Sequence, residues 1–378
     1  MAGLHLFNPE NDLALAFGGE RYTPPPYAVA LHRDGAALPV WYADEGDSVL
    51  WPNADNAWIS RVCREYDIDV ATAISADAIP RPWGWSRDAR SRFADAGVAP
   101  MQLPDDATLD NLRRLSGRQM TVHVMGRLHE MLDIPLPHVP FIATTADELV
   151  GHVASRPIGC FVKAPWSSSG RGVIDTTLLS PQELRRRVEG TIRRQGCMTC
   201  EDRLDKIQDF AMLFHSDGKR VEYRGISYFF TERTTAYAGN LMLPDAEIMQ
   251  RLNVTGRELS PISAALTEIL TDMLHDTYTG YLGVDMLTYR APDGSRRIAP
   301  CIEINLRMTM GVVAMLWRDR HLSPDARAIL RVARQSTHPL PHTPPVIKGH
   351  RLLSGLQPLT PPGTTFSLTV ETIPRRNS

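Results

Sequence analysis

Residues 280–311 read GYLGVDMLTYRAPDGSRRIAPCIEINLRMTMG, two alternating runs around Asp293-Gly294. Alternation of period two marks a half-buried strand, and an Asp-Gly pair between two such runs predicts a β-hairpin. Along 301–307, Ile302, Ile304 and Leu306 face one way, and Cys301, Glu303, Asn305 and Arg307 face the other. Val284 and Met286 flank Asp285 in the same manner. A hairpin centred on Gly294 sets Asp285 directly opposite Glu303. Opposed carboxylates on one sheet face repel. A hard divalent cation between them removes the penalty, and Asp, Glu and Asn oxygens are ligands that Mg²⁺ takes, completed by water and phosphate. Asp285, Glu303 and Asn305 are therefore the candidate metal ligands. Arg307 extends the same face and is a natural clamp for phosphate or a developing anion. A solvent-facing polar strand would explain one acid. It explains less well Asp, Glu, Asn and Arg in register, with glycines on both sides.

Upstream lies Phe161 to Val173, FVKAPWSSSGRGV. Two apolar residues and a lysine begin a predicted strand, and three serines and two glycines follow. Small residues let backbone N–H groups approach phosphate oxygens, and glycine reaches the φ values that such a nest needs. Lys163 supplies a compact positive charge for phosphate. The pattern GxxxxGK[ST] is absent and the lysine precedes the glycines, so this is not a Walker A loop. It is not GxGxxG either, which disfavours a dinucleotide fold. Taken alone, the segment is equally an ordinary Ser/Gly loop with Lys163 reaching solvent. Lysine is scarce, however. Only four of the 41 basic residues are lysines, at 163, 206, 219 and 348.

A length of 378 residues predicts two or three domains. With 43% apolar and 22% charged residues, the chain has a globular rather than a disordered composition. The net charge of −2 offers no general field for nucleic acid or a membrane surface. No window reaches the ~18 uncharged apolar residues of a membrane span. The first twenty residues lack a basic n-region and do not read as a secretory signal. The five cysteines, odd in number, suit a reducing cytoplasm. Cys197-Met-Thr-Cys200 has no second pair at zinc spacing and reads as two small apolar residues on a strand.

Along the chain, Leu4 to Phe7 and Ala37 to Tyr42 are expected as strands. Asn8, Glu10, Asn11 and Asp12 follow the first strand, where α/β sheets bind ligands, and read equally as a capped turn. Helices are expected over 118–132, after Thr145, over 181–194 behind Ser180-Pro181, over 259–278 and over 323–334. Strands are expected over 207–216 and 221–231 around Asp217-Gly218, and over 281–290 and 299–307. Thr365 to Thr372 alternates, but the prolines of this tail point to edge strands or a surface wrap.

A lysine before a Gly-rich loop, followed downstream by a D…E-x-N-x-R hairpin, resembles the ATP-grasp superfamily over about residues 115–320. The resemblance implies an α/β (α+β) chain: an N-terminal α/β pre-ATP-grasp domain (1–115), then an ATP-grasp fold of two α+β subdomains with ATP between them. These would be a lid (116–200) and a larger half with the metal site (201–335), with a tail over 336–378. It implies that Lys163 and, less directly, Arg118 meet phosphates. Ser167, Ser168, Ser169, Gly170, Arg171 and Gly172 would form a mobile loop over the triphosphate, and Cys197 to Glu201 a hinge strand with Glu201 on the ribose. Asp285, Glu303 and Asn305 would hold Mg²⁺ or Mn²⁺, and Arg307 the transferred phosphate or acyl phosphate. Lys206 and Asp209, just past the hinge, read as nucleotide contacts or surface residues. Leu306 stands where the family often has Pro, and Arg171 where glycine or lysine is usual. The implied activity is ATP-dependent carboxylate–amine (or carboxylate–thiol) ligation of small-molecule or peptide substrates in the cytoplasm, leaving homodimer formation open. A kinase on the same fold and a non-catalytic nucleotide-binding module are the alternatives.

Overall fold

A computed structural model describes residues 2–52, 54–71, 73–167, 172–231, 237–334 and 343–374. They group into two compact units. Met1–Leu109, Ser227–Ile248 and Arg307–Ser378 form the first, and Asp110–Ile226 with Met249–Leu306 the second.

The chain opens in the first unit with β1 (Gly3–Leu6), α1 (Asn11–Phe17), α2 (Pro26–Gly35), β2 (Ser48–Val49), α3 (Asn56–Tyr66), β3 (Ile79–Pro82) and α4 (Arg87–Asp95). β1 is the buried middle strand of a parallel sheet, between β2 and β3. Strands covered on both faces read as continuous apolar runs. Pro26 suits the first turn of α2, where its missing N–H leaves nothing unpaired. Asp55 and Ser86 cap α3 and α4. Ala37 to Tyr42 is not the expected strand. Leu38–Trp41 form a 3₁₀ turn in which all four side chains are buried. Pro39 donates no ladder bond, and burial on every side replaces the alternation that a strand would show.

The second unit follows α5 (Asp106–Leu115) with α6 (Met120–Met131), β4 (Phe141–Ala143), α7 (Ala146–Ala154), β5 (Cys160–Lys163), β6 (Val173–Asp175), α8 (Pro181–Gln195) and β7 (Met198–Asp202). Capping boxes Thr145/Glu148 and Ser180/Glu183 start α7 and α8 where the sequence placed them. The strands form an antiparallel sheet in the order β4-β7-β5-β6. Leu149, Leu184, Val188, Cys160, Val162 and Cys200 share its core. Burial pushes the Cys200 thiol well up, so it is an inert core residue.

The remaining elements are β8 (Asp205–Asp217), β9 (Val221–Thr231), β10 (Tyr237–Met242), α9 (Asp245–Leu252), α10 (Gly256–Leu274), β11 (Thr279–Arg290), β12 (Arg296–Asn305), α11 (Met310–His321), β13 (Arg327–Arg334), β14 (Val346–Lys348), β15 (Arg351–Ser354), β16 (Leu356–Pro358) and β17 (Phe366–Ile373). In the second unit β11 lies between β12 and β8, antiparallel to both. α6 packs on β12 and on α10, which also packs on β8. α10 starts earlier than expected because Thr255 and Glu258 form its capping box.

In the first unit the strand order runs β9-β10-β13-β17-β16, all antiparallel. Two expectations are corrected here. The helix expected over 323–334 is replaced by β13, whose Ala328 and Leu330 are buried while Arg327, Ile329 and Arg331 are less so. Pairing on both edges, to β10 and β17, outweighs helix propensity. β17 is an interior strand, not an edge, because the prolines of the tail fall outside Phe366–Ile373. An aromatic cluster centred on Trp41, with Trp58, Tyr66 and Trp317, anchors this unit. Among the described residues, no helix is long and apolar enough to cross a membrane.

Candidate active site

The β11–β12 register pairs Asp285 with Glu303 and Gly283 with Asn305, as the alternation requires. Asn305 Nδ2 donates to Asp285 Oδ2 at 3.1 Å. A register irregularity follows between Asp285 and Leu287.

Arg118 stands just before α6 and is 6% exposed. Its Nη2 donates to both Glu303 oxygens, at 2.8 and 2.7 Å. Its Nη1 donates to the Ala164 carbonyl and to Ser167 Oγ. One guanidinium thus joins the segment after Lys163 to the carboxylate hairpin, a task that needs Arg's rigid fork. Lys163 ends β5 and is 7% exposed, in an ion pair with Glu201 of β7. β5 and β7 are neighbours with Phe161 opposite Glu201 and Lys163 opposite Thr199, so lysine and glutamate meet diagonally. Cys301 of β12 lies among these groups. Burial pushes its thiol up, and the Glu201, Asp285 and Glu303 carboxylates add to this while Lys163 opposes it.

Three carboxylates and two cations therefore converge in the second unit. Among the described residues there is no group of three or more His, Cys, Asp and Glu poised for a metal ion. Asp285 and Glu303, with the Asn305 amide, form an all-oxygen set with two carboxylates. That fits Mg²⁺ or Mn²⁺, which take much of their coordination from phosphate and water.

The other expected residues divide. Ser167 is buried beside Arg118, and a Cβ on Gly172 would collide with Ser167, so this glycine is required by close approach. Ser168, Ser169, Gly170 and Arg171 lie outside the described residues. Asp209 accepts from Lys206 Nζ at 2.7 Å, and the structure gives neither a bond to the cluster. β12 ends at Asn305, so Arg307 is not on the strand face expected for it. It belongs to the first unit, where Nε lies 3.1 Å and Nη2 2.7 Å from the two Asp12 oxygens.

Sequence reasoning missed the Glu201–Lys163 pairing, the Glu303–Arg118 fork and the partner of Arg307. It also missed a small cavity of about 20 Å³ beside β7, whose lining includes Met125, Leu204, Ile302, Glu201 and Asp202.

β5 with Lys163 in an antiparallel sheet with α7 and α8, β7 bearing Glu201, and the carboxylate hairpin backed by α6 belong to a fold shared with solved structures. No family model matches the sequence, and no curated protein matches it. Solved structures do. Biotin carboxylase of Campylobacter jejuni, solved as a β-γ-ATP complex, has a TM-score of 0.53 at 12% identity, covering 99% of this chain and 88% of that one. The biotin carboxylase domain of Hydrogenobacter thermophilus 2-oxoglutarate carboxylase, with MgADP, ADP and bicarbonate, has a TM-score of 0.51 at 12% identity, covering 99% and 87%.

Proposed function

We propose that the protein is an ATP-dependent ligase that activates a carboxylic acid as an acyl phosphate and joins it to an amine. The observation that carries this is the convergence of Arg118, Lys163, Glu201, Asp285, Glu303 and Asn305 in one unit of an ATP-grasp fold. Arg118 and Lys163 are each held by a carboxylate. With nucleotide, phosphate oxygens take over from Glu303 on Arg118 and from Glu201 on Lys163. That frees Glu303 for a metal and Glu201 for the ribose. Ser167 stands beside Arg118 at this site, and the division into a lid (116–200) and a larger half (201–335) is part of the same proposal. Asp285, Glu303 and Asn305 would hold Mg²⁺ or Mn²⁺, which would neutralise phosphate charge there.

An acid oxygen attacks the γ-phosphorus and ADP leaves. The amine nitrogen then attacks the acyl carbon, phosphate leaves, and the nitrogen loses a proton. Phosphoryl transfer of this kind rests on positioning and charge neutralisation more than on proton transfer. The acyl phosphate survives only where water is kept from it.

Calorimetry with a non-hydrolysable ATP analogue, with and without Mg²⁺, tests the site. Wild type should bind in a Mg²⁺-dependent manner, and Glu303→Gln, which keeps an acceptor for Arg118, should lose that dependence while still unfolding cooperatively. Absence of binding by wild type, or unchanged Mg²⁺ dependence in the variant, would remove the assignment. Hydroxylamine should trap the acyl phosphate as a hydroxamate. ADP with a stable phosphorylated product and no hydroxamate would instead indicate a kinase.

A further inference from the structure

The β11–β12 ladder opposes like charges twice. Asp285 pairs with Glu303, and toward the turn Arg290 pairs with Arg296. Like charges directly opposite one another are destabilising, so the reasoning that sets a cation between the acids sets an anion between the arginines. A pocket of about 330 Å³ lies at this end of the hairpin. Its lining includes Arg251, Arg290 and Arg296 with Gln208 and Asn253, and among the described residues no acidic side chain. Every lining residue belongs to the second unit. None of them is shared with the cluster of Arg118, Lys163, Glu201, Asp285, Glu303 and Asn305. The volume falls at the small end of the range for small-molecule sites.

Arg296 is the most constrained of the three, with its side chain 22% exposed. Its Nη2 donates to Glu258, the acid of the α10 capping box. Its Nη1 is buried and finds no hydrogen-bond partner among the described residues. A buried guanidinium nitrogen without an acceptor forfeits the bond it makes in water. A water molecule would satisfy that atom and leave the opposition of Arg290 and Arg296 as it stands. Arg251, near the end of α9, makes no hydrogen bond or ion pair with a described residue. The neighbouring acids do not balance this charge. Asp293 is taken by Arg297 and Ser295. Asp205 lies 3.8 Å from Arg290 Nε, but the two side chains are 73% and 63% exposed, and solvent screens such a pair. A phosphate group offers an oxygen to each of three guanidinium forks, whereas a single carboxylate has only two. We propose that this pocket is a phosphate site, taking inorganic phosphate or the phosphate group of a small ester between Arg251, Arg290 and Arg296. It is separate from the nucleotide cluster and does not depend on the ligase function.

The test is calorimetric titration of the full chain with inorganic phosphate and with glycerol 3-phosphate, at fixed ionic strength. Wild type should bind at least one of them saturably, the tighter of the two telling the free ion from the ester. Arg251 and Arg290 are exposed, so Arg251→Gln and Arg290→Gln should keep the wild-type melting temperature. Each should weaken binding by about tenfold or more, the cost of one charge-assisted hydrogen bond. Arg186→Gln, an exposed change of the same charge on α8, should leave the affinity as it is. Acetate at equal ionic strength should not displace the phosphate. No saturable binding by wild type would overturn the proposal. So would an affinity unchanged in either pocket variant, the phosphate then being held elsewhere, as at the nucleotide cluster. An equal loss in Arg186→Gln would reduce the effect to general charge attraction and overturn it too, and displacement by acetate would remove the preference for phosphate on which it stands.

Discussion

His321 ends α11 in the aromatic core of the first unit, against Trp41, Tyr66 and Trp317. Its Nε2 lies 3.0 Å from the Trp41 carbonyl oxygen, so that nitrogen carries the hydrogen of a neutral ring. Burial lowers its pKa from 6.5 to about 4. The Trp41 bond opposes this, and the Arg320 and Arg351 charges reinforce it. Between those values the unfolded chain binds a proton that the folded protein refuses. Stability from this group is therefore whole above pH 6.5, falls as pH drops toward 4, and falls no further below it. At 1.36 kcal/mol per pH unit the loss is about 2 kcal/mol at pH 5 and about 3 kcal/mol at pH 4. His321→Gln keeps an N–H for the Trp41 carbonyl and removes the titration. Urea unfolding followed by tryptophan fluorescence at pH 7 and pH 5 reads the buried Trp41 and Trp317 directly. Wild type should lose about 2 kcal/mol more than the variant across that interval. Parallel losses, or an NMR titration of His321 above pH 6, would refute the reasoning.

Two further outcomes follow from the site. Arg118→Lys cannot reach Ala164, Ser167 and both Glu303 oxygens at once, and the loss of one charge-assisted bond costs about 1.5–3 kcal/mol. Calorimetry should show Mg²⁺-nucleotide affinity down by roughly 10- to 150-fold, and an unchanged Kd would take Arg118 out of the site. Gly172→Ala forces Ser167 away from Arg118 and should cost about 1–3 kcal/mol in stability with a matching fall in nucleotide affinity. A melting curve and Kd equal to wild type would show that the backbone there yields freely.

What could be foreseen depended on the range of the interaction. The Asp285–Glu303 pairing was legible because period two and an Asp-Gly turn fix register over a short span. Thr145/Glu148 and Ser180/Glu183 were legible because a capping box closes within one helical turn. Residues 327–334 misled for the opposite reason. Their apolar spacing suits either element, and the choice was made by β10 and β17, distant in the chain. Ala37 to Tyr42 misled because burial on all sides imitates a short apolar strand.

By itself, then, the sequence determined the hairpin with its metal-type oxygens, the lysine ahead of a Ser/Gly segment, and the helix starts that surround them. Tertiary structure decided which charges meet. Arg118 reaches Glu303 across 185 residues, and Arg307 reaches Asp12 across 295. Local periodicity carries no information about such pairs, since any guanidinium attracts any carboxylate with the same force. Only chain folding selects the partner, by bringing strand ends together and withdrawing them from water, where a charge left alone is too costly to keep.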